Sequence, residues 1–397
     1  MVRRNVADKH VSANSERSDN NVAEISLALE NVPAQILSAM VIDLNALARN
    51  YHSVEEELPA ATALGAVLKA NAYGFGATQV GKRLYREGCR TFFAITIDEC
   101  CELRQVLPSD AKIFLLAGVP PGCDAIIHEH QLIPVLNSMP QVRRWSDYCQ
   151  KIGVKLEAAI QIDTGINRNG VPHWQAEKYR DEIVGGVAVS FIISHLACAD
   201  TPCHPMNDLQ LQRFKNVMKI FGPGVKGSFS ATNGLFLGND YVFDLVRPGK
   251  SLYGFSIRED RIGNLEPVMN AFARIVQVSR INAGDNIGYG ATFTAPLDMK
   301  TITVGIGYAD GFMRKFDGFG HGFIGGKKIA AVGRISMDYM VFDASEVDDV
   351  FLQEGNWVAL TRTPDYTMEK WALALGTLPH EVTCRFGARM ARVYLGE

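Results

Sequence analysis

The sequence predicts an α/β fold: a (β/α)8, TIM-like barrel followed by a C-terminal, mainly β domain. Three observations carry that expectation. From Ala61 to Gly249, short β-branched apolar runs alternate with longer stretches of helical period. The number of repeats is close to eight, and closing eight parallel strands removes both sheet edges. After about Asn270 the helical stretches nearly vanish, and short strand-like runs are separated by turn residues.

The barrel strands are expected at Leu64–Leu68, Phe92–Thr96, Ile113–Leu116, Ile133–Leu136, Glu157–Asp163, Ala188–His195, Gly227–Thr232 and Leu245–Arg247. Helices are expected at Thr78–Glu87, Ile97–Val106, Gln141–Lys151, Ala176–Ile183 and Asn207–Ile220, the last capped by Asn207 and stopped by Gly222. An open doubly wound sheet is the alternative, but it wants a glycine-rich dinucleotide loop after its first strand. Gly74-Phe75-Gly76 stands there, and the third glycine of that fingerprint falls on Gln79. Beyond residue 270, strands are expected at Phe272–Val278, Thr301–Ile306, Gly322–Ile324, Ala330–Val332, Tyr339–Asp343 and Trp357–Leu360, with a helix near Thr367–Leu375. The domain reading is therefore a flexible tail over residues 1–36, a barrel over 37–270 and a β domain over 271–397. The strand at Ala39–Asp43 is a candidate to join the β domain.

Composition narrows the function classes. The 397 residues are 47% hydrophobic and 21% charged, which excludes a largely disordered chain. With 40 Lys and Arg against 43 Asp and Glu, the net charge of −3 offers no electrostatic footprint for nucleic acid or an anionic membrane. No apolar run approaches the roughly 20 residues of a membrane helix. Eight cysteines without a C-x-x-C pair read as reduced thiols rather than a disulfide scaffold or metal site. Met1–Asn21 is polar and without hydrophobic period. It lacks the apolar core of a secretory signal, and Asp8, Glu16 and Asp19 argue against a transit peptide, so a cytoplasmic location is expected.

Active sites of such barrels lie at the C-terminal ends of the strands, and several polar residues fall there. Lys69 ends the first strand in Val67-Leu-Lys-Ala-Asn-Ala-Tyr-Gly74. Apolar surroundings would lower its pKa and expose a nucleophilic amine suited to a Schiff base; a lysine snorkelling to solvent fits the spacing equally well. Arg168 follows strand five, His195 ends strand six, Thr232 ends strand seven and Arg247 ends strand eight. Each alone also reads as an ordinary ion pair or core residue. Together they put cationic and polar groups on one rim, where late-strand loops often hold phosphate, and Gly249 lets backbone approach such a group.

Val67–Gly74 resembles the cofactor-lysine motif of bacterial alanine racemases, the fold-type III pyridoxal-phosphate enzymes. The likeness continues through Asp163-Thr-Gly165, His195–Asp200, Arg247-Pro-Gly249, Gly288-Tyr-Gly-Ala-Thr292, Gly307-Tyr-Ala-Asp-Gly311 and Gly333–Asp338, and spans about residues 38–395. The resemblance implies a homodimer that racemises alanine with pyridoxal 5'-phosphate and supplies D-alanine for peptidoglycan. Lys69 would carry the cofactor as a Schiff base and act as base on one face of the substrate. Tyr289, from the second subunit, would act on the other face. Arg247 would contact the pyridine nitrogen, with His195 packed by the ring and supporting Arg247. Tyr73, Thr232 and the backbone of Gly249 and Lys250 would hold the phosphate, and Arg168 the phenolic oxygen. Met337 and Tyr308 of the partner chain would border the substrate carboxylate.

Some positions depart from the family pattern. Gln161 replaces a lysine that is often carbamylated, so an anion such as chloride is a candidate to steady Arg168. Ala231, Thr232 and Ser336 stand where Asn, Ser and Cys are usual. His380 replaces a tyrosine at the phosphate and the mouth of the substrate site, which opens a second reading, a racemase of serine or another small amino acid. A non-catalytic pyridoxal-phosphate protein would lack the segment 271–397. A decarboxylase of the same architecture would need a catalytic Cys near a Gly-Ala-Tyr motif, and Cys384 sits in another setting.

Overall fold

The computed structural model describes residues 22–255, 265–316, 320–362 and 366–397. The chain divides into two compact units, one spanning Ala46–Glu266, the other combining the chain up to Asn45 with Pro267–Glu397.

The first unit is a barrel of parallel strands. Ala66–Val67, Thr91–Ala94, Lys112–Leu115, Leu132–Leu136, Glu157–Asp163, Ala188–Ile193 and Lys226–Ser228 follow one another in the sheet in chain order. Leu245–Val246 supplies the eighth position and pairs in parallel with Ala63–Leu64, just ahead of the first strand. On its other side, the Arg247 amide donates to Ser230 O at 3.0 Å, and the Ser228 hydroxyl donates to Leu245 O at 2.7 Å. The ring is therefore closed. Val67, Phe93, Phe114, Ile133, Val135, Ala159, Ile193 and Leu245 form one buried cluster drawn from seven strands, the packed interior of the barrel. Burial on both faces explains why these strands read as continuous apolar runs.

Helices follow the strands. Ile97–Val106 starts on a capping box, in which Thr96 Oγ1 accepts from the Glu99 amide and the Glu99 carboxylate accepts from the Thr96 amide. The helix expected to begin at Asn207 begins instead at Pro205, with His204 as its cap. Asn207 is buried inside it, and its side-chain amide donates to the carbonyls of Cys198, Thr201 and Pro202. A proline fits the first helical turn because that turn's N–H groups have no partner anyway. Gly222 ends the helix with φ 85°.

The second unit is built on a sheet ordered Lys327–Ala330, His321–Ile324, Trp357–Ala359, Met269–Ile281, Ser38–Asp43, Ala391–Leu395. Met269–Ile281 also pairs with Met299–Val304, which pairs with Met340–Asp343. Ser38–Asp43 runs antiparallel to Met269–Ile281 and parallel to Ala391–Leu395. The strand expected at Ala330–Val332 lies earlier, at Lys327–Ala330. Its hairpin partner turns at Gly325-Gly326 (φ 55° and 75°), and the two lysines are exposed while Ile329 is buried.

The tail reading divides. Met1–Asn21 lies outside the described residues, but residues 22–30 are helical, and Leu29 and Val32 bury against Ala39, Val41 and Phe272. Arg274 fixes this segment by donating to the carbonyls of Val32, Ile36 and Gly355 at 2.7–3.0 Å, with its guanidinium 4.1 Å from the Trp357 ring centre. Residues 22–36 are thus folded, through contacts with residues more than 200 positions away that no local pattern reveals. Among the described residues, no helix is long and apolar enough to cross a membrane.

Candidate functional site at the barrel strand ends

Lys69 leaves the first strand and opens a turn of the wrong hand for an L-polypeptide. Ala70, Asn71, Ala72 and Tyr73 have φ of 54°, 52°, 53° and 58°. Each non-glycine residue in this region costs about 1–2 kcal/mol, so the turn persists only because its surroundings over-determine it. Inside the turn, the Ala72 amide donates to Leu68 O at 2.8 Å and the Gly74 amide to Ala70 O at 2.9 Å. Asn71 Oδ1 accepts from the Ala77 amide at 2.8 Å, and the Gly76 amide donates to Asn71 O at 2.9 Å. The Ala70 amide donates to Glu99 Oε1 at 2.7 Å.

Arg247, one residue past the closing strand, is buried. Its Nε donates to Ser228 Oγ at 2.8 Å, and Nη2 donates to Ser194 O and, at 3.4 Å, to Ser228 O. These partners are uncharged. Burial pushes the guanidinium down to about 10, so it stays charged near neutral pH. His195, two residues past Ala188–Ile193, is pushed down to about 3, first by burial and then by the nearby Arg247, Arg168 and Lys69. It is a neutral imidazole. Burial likewise pushes Lys250 down to about 8.

Beside Arg247 lies a polar cradle. Thr232 Oγ1 is 3.1 Å from Ser251 Oγ and accepts from the amides of Gly249 at 3.3 Å and Ser251 at 3.4 Å. A Cβ on Gly249 would lie 2.3 Å from the Tyr73 hydroxyl oxygen, so only glycine admits that hydroxyl here. Tyr73 is held by its ring against Tyr253, whose hydroxyl donates to Val67 O at 3.1 Å. Thr232 lies past its strand rather than on it, opening a 3-10 turn over Thr232–Leu237.

Arg168 is exposed in the loop after Glu157–Asp163, where Asp163 Oδ1 accepts from the amides of Gly165 and Asn167. The buried Gln210 ties this loop to the next strand, donating to Thr164 Oγ1 at 3.1 Å and His195 O at 2.9 Å and accepting from the Ala197 amide at 2.9 Å. Lys69, Tyr73, Arg168, His195, Thr232, Arg247, Gly249 and Lys250 thus all lie at or just beyond the C-terminal ends of barrel strands. Reading residue types at strand ends missed their supports: Ser194, Ser228, Gln210, Ser251 and Glu99. Of these, only Glu99 had a sequence signal, the Thr96-x-x-Glu99 capping box.

The remaining candidates belong to the β unit. Tyr289, Tyr308 and Met337, on three different loops, are 70%, 45% and 53% exposed. The backbone joins two of these loops: the Ala309 amide donates to Met337 O at 3.0 Å, and the Tyr308 amide to Ser336 O at 3.2 Å. The buried Asp310 holds the turn, its Oδ2 accepting from the Gly307 amide at 2.9 Å and its Oδ1 pairing with Arg389 at 3.1 Å. His380 lies on the short helix Pro379–Thr383.

Because the folded pKa of His195 lies below the unfolded value near 6.5, the unfolded state binds the extra proton first. Its contribution to stability is present above about pH 6.5 and is lost as pH falls toward about 3. We expect the ring protons of His195 to show no titration by NMR between about pH 8 and pH 5, the range in which an unperturbed histidine titrates. A midpoint near 6.5 would contradict the neutral assignment.

Two family models match the chain, the alanine racemase N-terminal domain over residues 42–257 and the alanine racemase C-terminal domain over residues 268–394. An alanine racemase of Rhodospirillum rubrum is 37% identical over 359 residues, covering 90% of this chain and 96% of the relative. A catabolic alanine racemase of Agrobacterium fabrum is 37% identical over 358 residues, covering 90% and 92%. The crystal structure of alanine racemase from Bartonella henselae with covalently bound pyridoxal phosphate superposes with a TM-score of 0.84 at 36% identity, covering 90% of this chain and 99% of that one. The chain belongs to the alanine racemase family.

Proposed function

We propose that the protein interconverts L- and D-alanine with pyridoxal 5'-phosphate, using Lys69 and Tyr289 as bases on opposite faces of the substrate. The observation that carries this reading is the set of groups around Lys69. A buried guanidinium that meets no carboxylate among the described residues and a hydroxyl-lined cradle at Gly249 suit a phosphorylated aromatic aldehyde. We assign Tyr73, Thr232, Gly249, Lys250 and His380 to the phosphate, Arg168 to the phenolic oxygen, and Arg247 with His195 to the ring. Bound to Lys69, the cofactor supplies an electron sink for the pair left when the α-proton leaves.

The chain's own groups then manage protons and charge. Racemisation takes the α-proton from one face and returns one to the other, so groups must stand on both sides of the carbon. Lys69 supplies an amine on one side. Tyr289 supplies a hydroxyl on the other, and its exposure in the single chain, with that of Tyr308 and Met337, fits delivery into a partner's site. Arg247 has only donors, so it cannot take a proton from the ring and keeps the sink weak. The neutral His195 adds no further cation beside Arg247. We assign the protein to a cytoplasmic homodimer that supplies D-alanine for peptidoglycan.

Purified protein should absorb as a lysine-bound pyridoxal phosphate and racemise alanine in preference to serine on chiral chromatography. Borohydride should fix the cofactor to Lys69. Fixation to another lysine such as Lys250, or a serine preference, would overturn the assignment.

Mixing Lys69→Ala with Tyr289→Phe subunits should restore racemisation that each homodimer has lost by on the order of 10²–10⁴-fold, the usual contribution of one positioned acid–base group. In a heterodimer, one of the two sites would carry both bases. No recovery in verified heterodimers would contradict shared sites.

A further inference from the structure

We infer that Glu99, on the second barrel helix, is a positioning residue for Lys69, acting through the peptide group that joins Lys69 to Ala70. This inference rests on the assignment of Lys69 as cofactor lysine and base. One carboxylate oxygen accepts from the Ala70 amide at 2.7 Å. The other accepts from the Ile95 amide at 3.0 Å and the Thr96 amide at 3.4 Å. The Ala70 amide belongs to the first peptide of the left-handed turn, so fixing it restricts ψ of Lys69 and φ of Ala70 together. The Ile95 and Thr96 amides belong to the end of the neighbouring strand, already joined to the first by the Leu68 amide donating to Phe93 O at 2.8 Å. The carboxylate therefore clamps the lysine's backbone to the barrel wall at the one point where the chain leaves the ladder and turns the wrong way.

A capping residue needs only its bond to the N-cap amide. The Ala70 contact goes beyond that, reaching 29 residues back along the chain. Two acceptor oxygens are required at once, one for each strand end. A glutamine offers only one acceptor oxygen, and its amide nitrogen cannot accept from Ala70 or Ile95. A lysine released from this clamp keeps its amine but loses its aim, and a misplacement of about 1 Å can cost on the order of 10²-fold in rate.

The test compares Glu99→Gln with Thr96→Ala, which weakens the same helix cap but leaves the carboxylate. Hydrogen–deuterium exchange of the protein without cofactor, read over residues 69–76, should speed by about tenfold in Glu99→Gln, the loss of one charge-assisted hydrogen bond, and stay unchanged in Thr96→Ala. With cofactor bound, Glu99→Gln should slow exchange of the α-proton of one alanine enantiomer with heavy water far more than that of the other, because only Lys69 has moved. Equal losses for both enantiomers, or identical behaviour of the two variants, would reduce Glu99 to a helix cap and overturn the proposal. If Glu99→Gln does not fold, Glu99→Asp serves in its place, since it keeps the charge but retracts the carboxylate by one methylene. If the wild type fails to racemise alanine, the functional reading falls, and the amide-exchange arm still decides whether the clamp exists.

Discussion

Arg247 is a buried guanidinium whose charge, among the described residues, is met by a serine hydroxyl and two carbonyl oxygens. Burying an ion without a counter-ion costs several kcal/mol, and oriented uncharged acceptors offset part of that cost. Much of the barrel end answers to this imbalance. Ser228 and Ser194 lie on two neighbouring strands and aim the guanidinium. His195 gives up its proton beside it. Lys69 and Arg168 add to the positive field. A rim with this electrostatic balance favours an anion, and the Gly249 cradle next to it supplies hydroxyls and amides for one.

The second constraint is conformational. Four consecutive left-handed residues after Lys69 hold the chain in a form that free peptides avoid. Strain of this kind is kept only where neighbouring structure outweighs it. Here the closed ring of strands, the Asn71 side chain and the Glu99 carboxylate do so. The turn also brings Tyr73 back over Gly249, so one backbone device places both the amine and a wall of the cradle. Lys69 lies on the barrel, while Tyr289, Tyr308 and Met337 lie on exposed loops of the β unit.

Sequence period was enough to locate the eight barrel strands, because strands buried on both faces leave continuous apolar runs bounded by helices. The lysine, arginine and histidine were legible as polar residues where such runs stop. Other features were hidden for specific reasons. Lys327–Ala330 exposes both of its lysines and buries Ile329 alone, so its apolar signal is shifted to the following residues. The cap of the helix after Ile193 fell to His204 because Pro205 already suits the first turn. Residues 22–36 look like tail, since their order depends on Arg274 and Trp357. Ser228, Ser194 and Gln210 are small or neutral polar residues in apolar surroundings. Their importance shows only when their hydrogen bonds to Arg247, Thr164 and His195 are seen.

The role proposed for Arg247, a permanent donor to the cofactor ring, has a direct spectroscopic signature. Nitrogen-15 NMR of the protein loaded with ring-labelled pyridoxal phosphate tests it most directly. The wild-type protein should show the resonance of an unprotonated ring nitrogen that accepts a hydrogen bond, moving further when Arg247 is replaced by glutamine. A protonated pyridinium resonance in the wild-type protein near neutral pH, unchanged in Arg247→Gln, would contradict it.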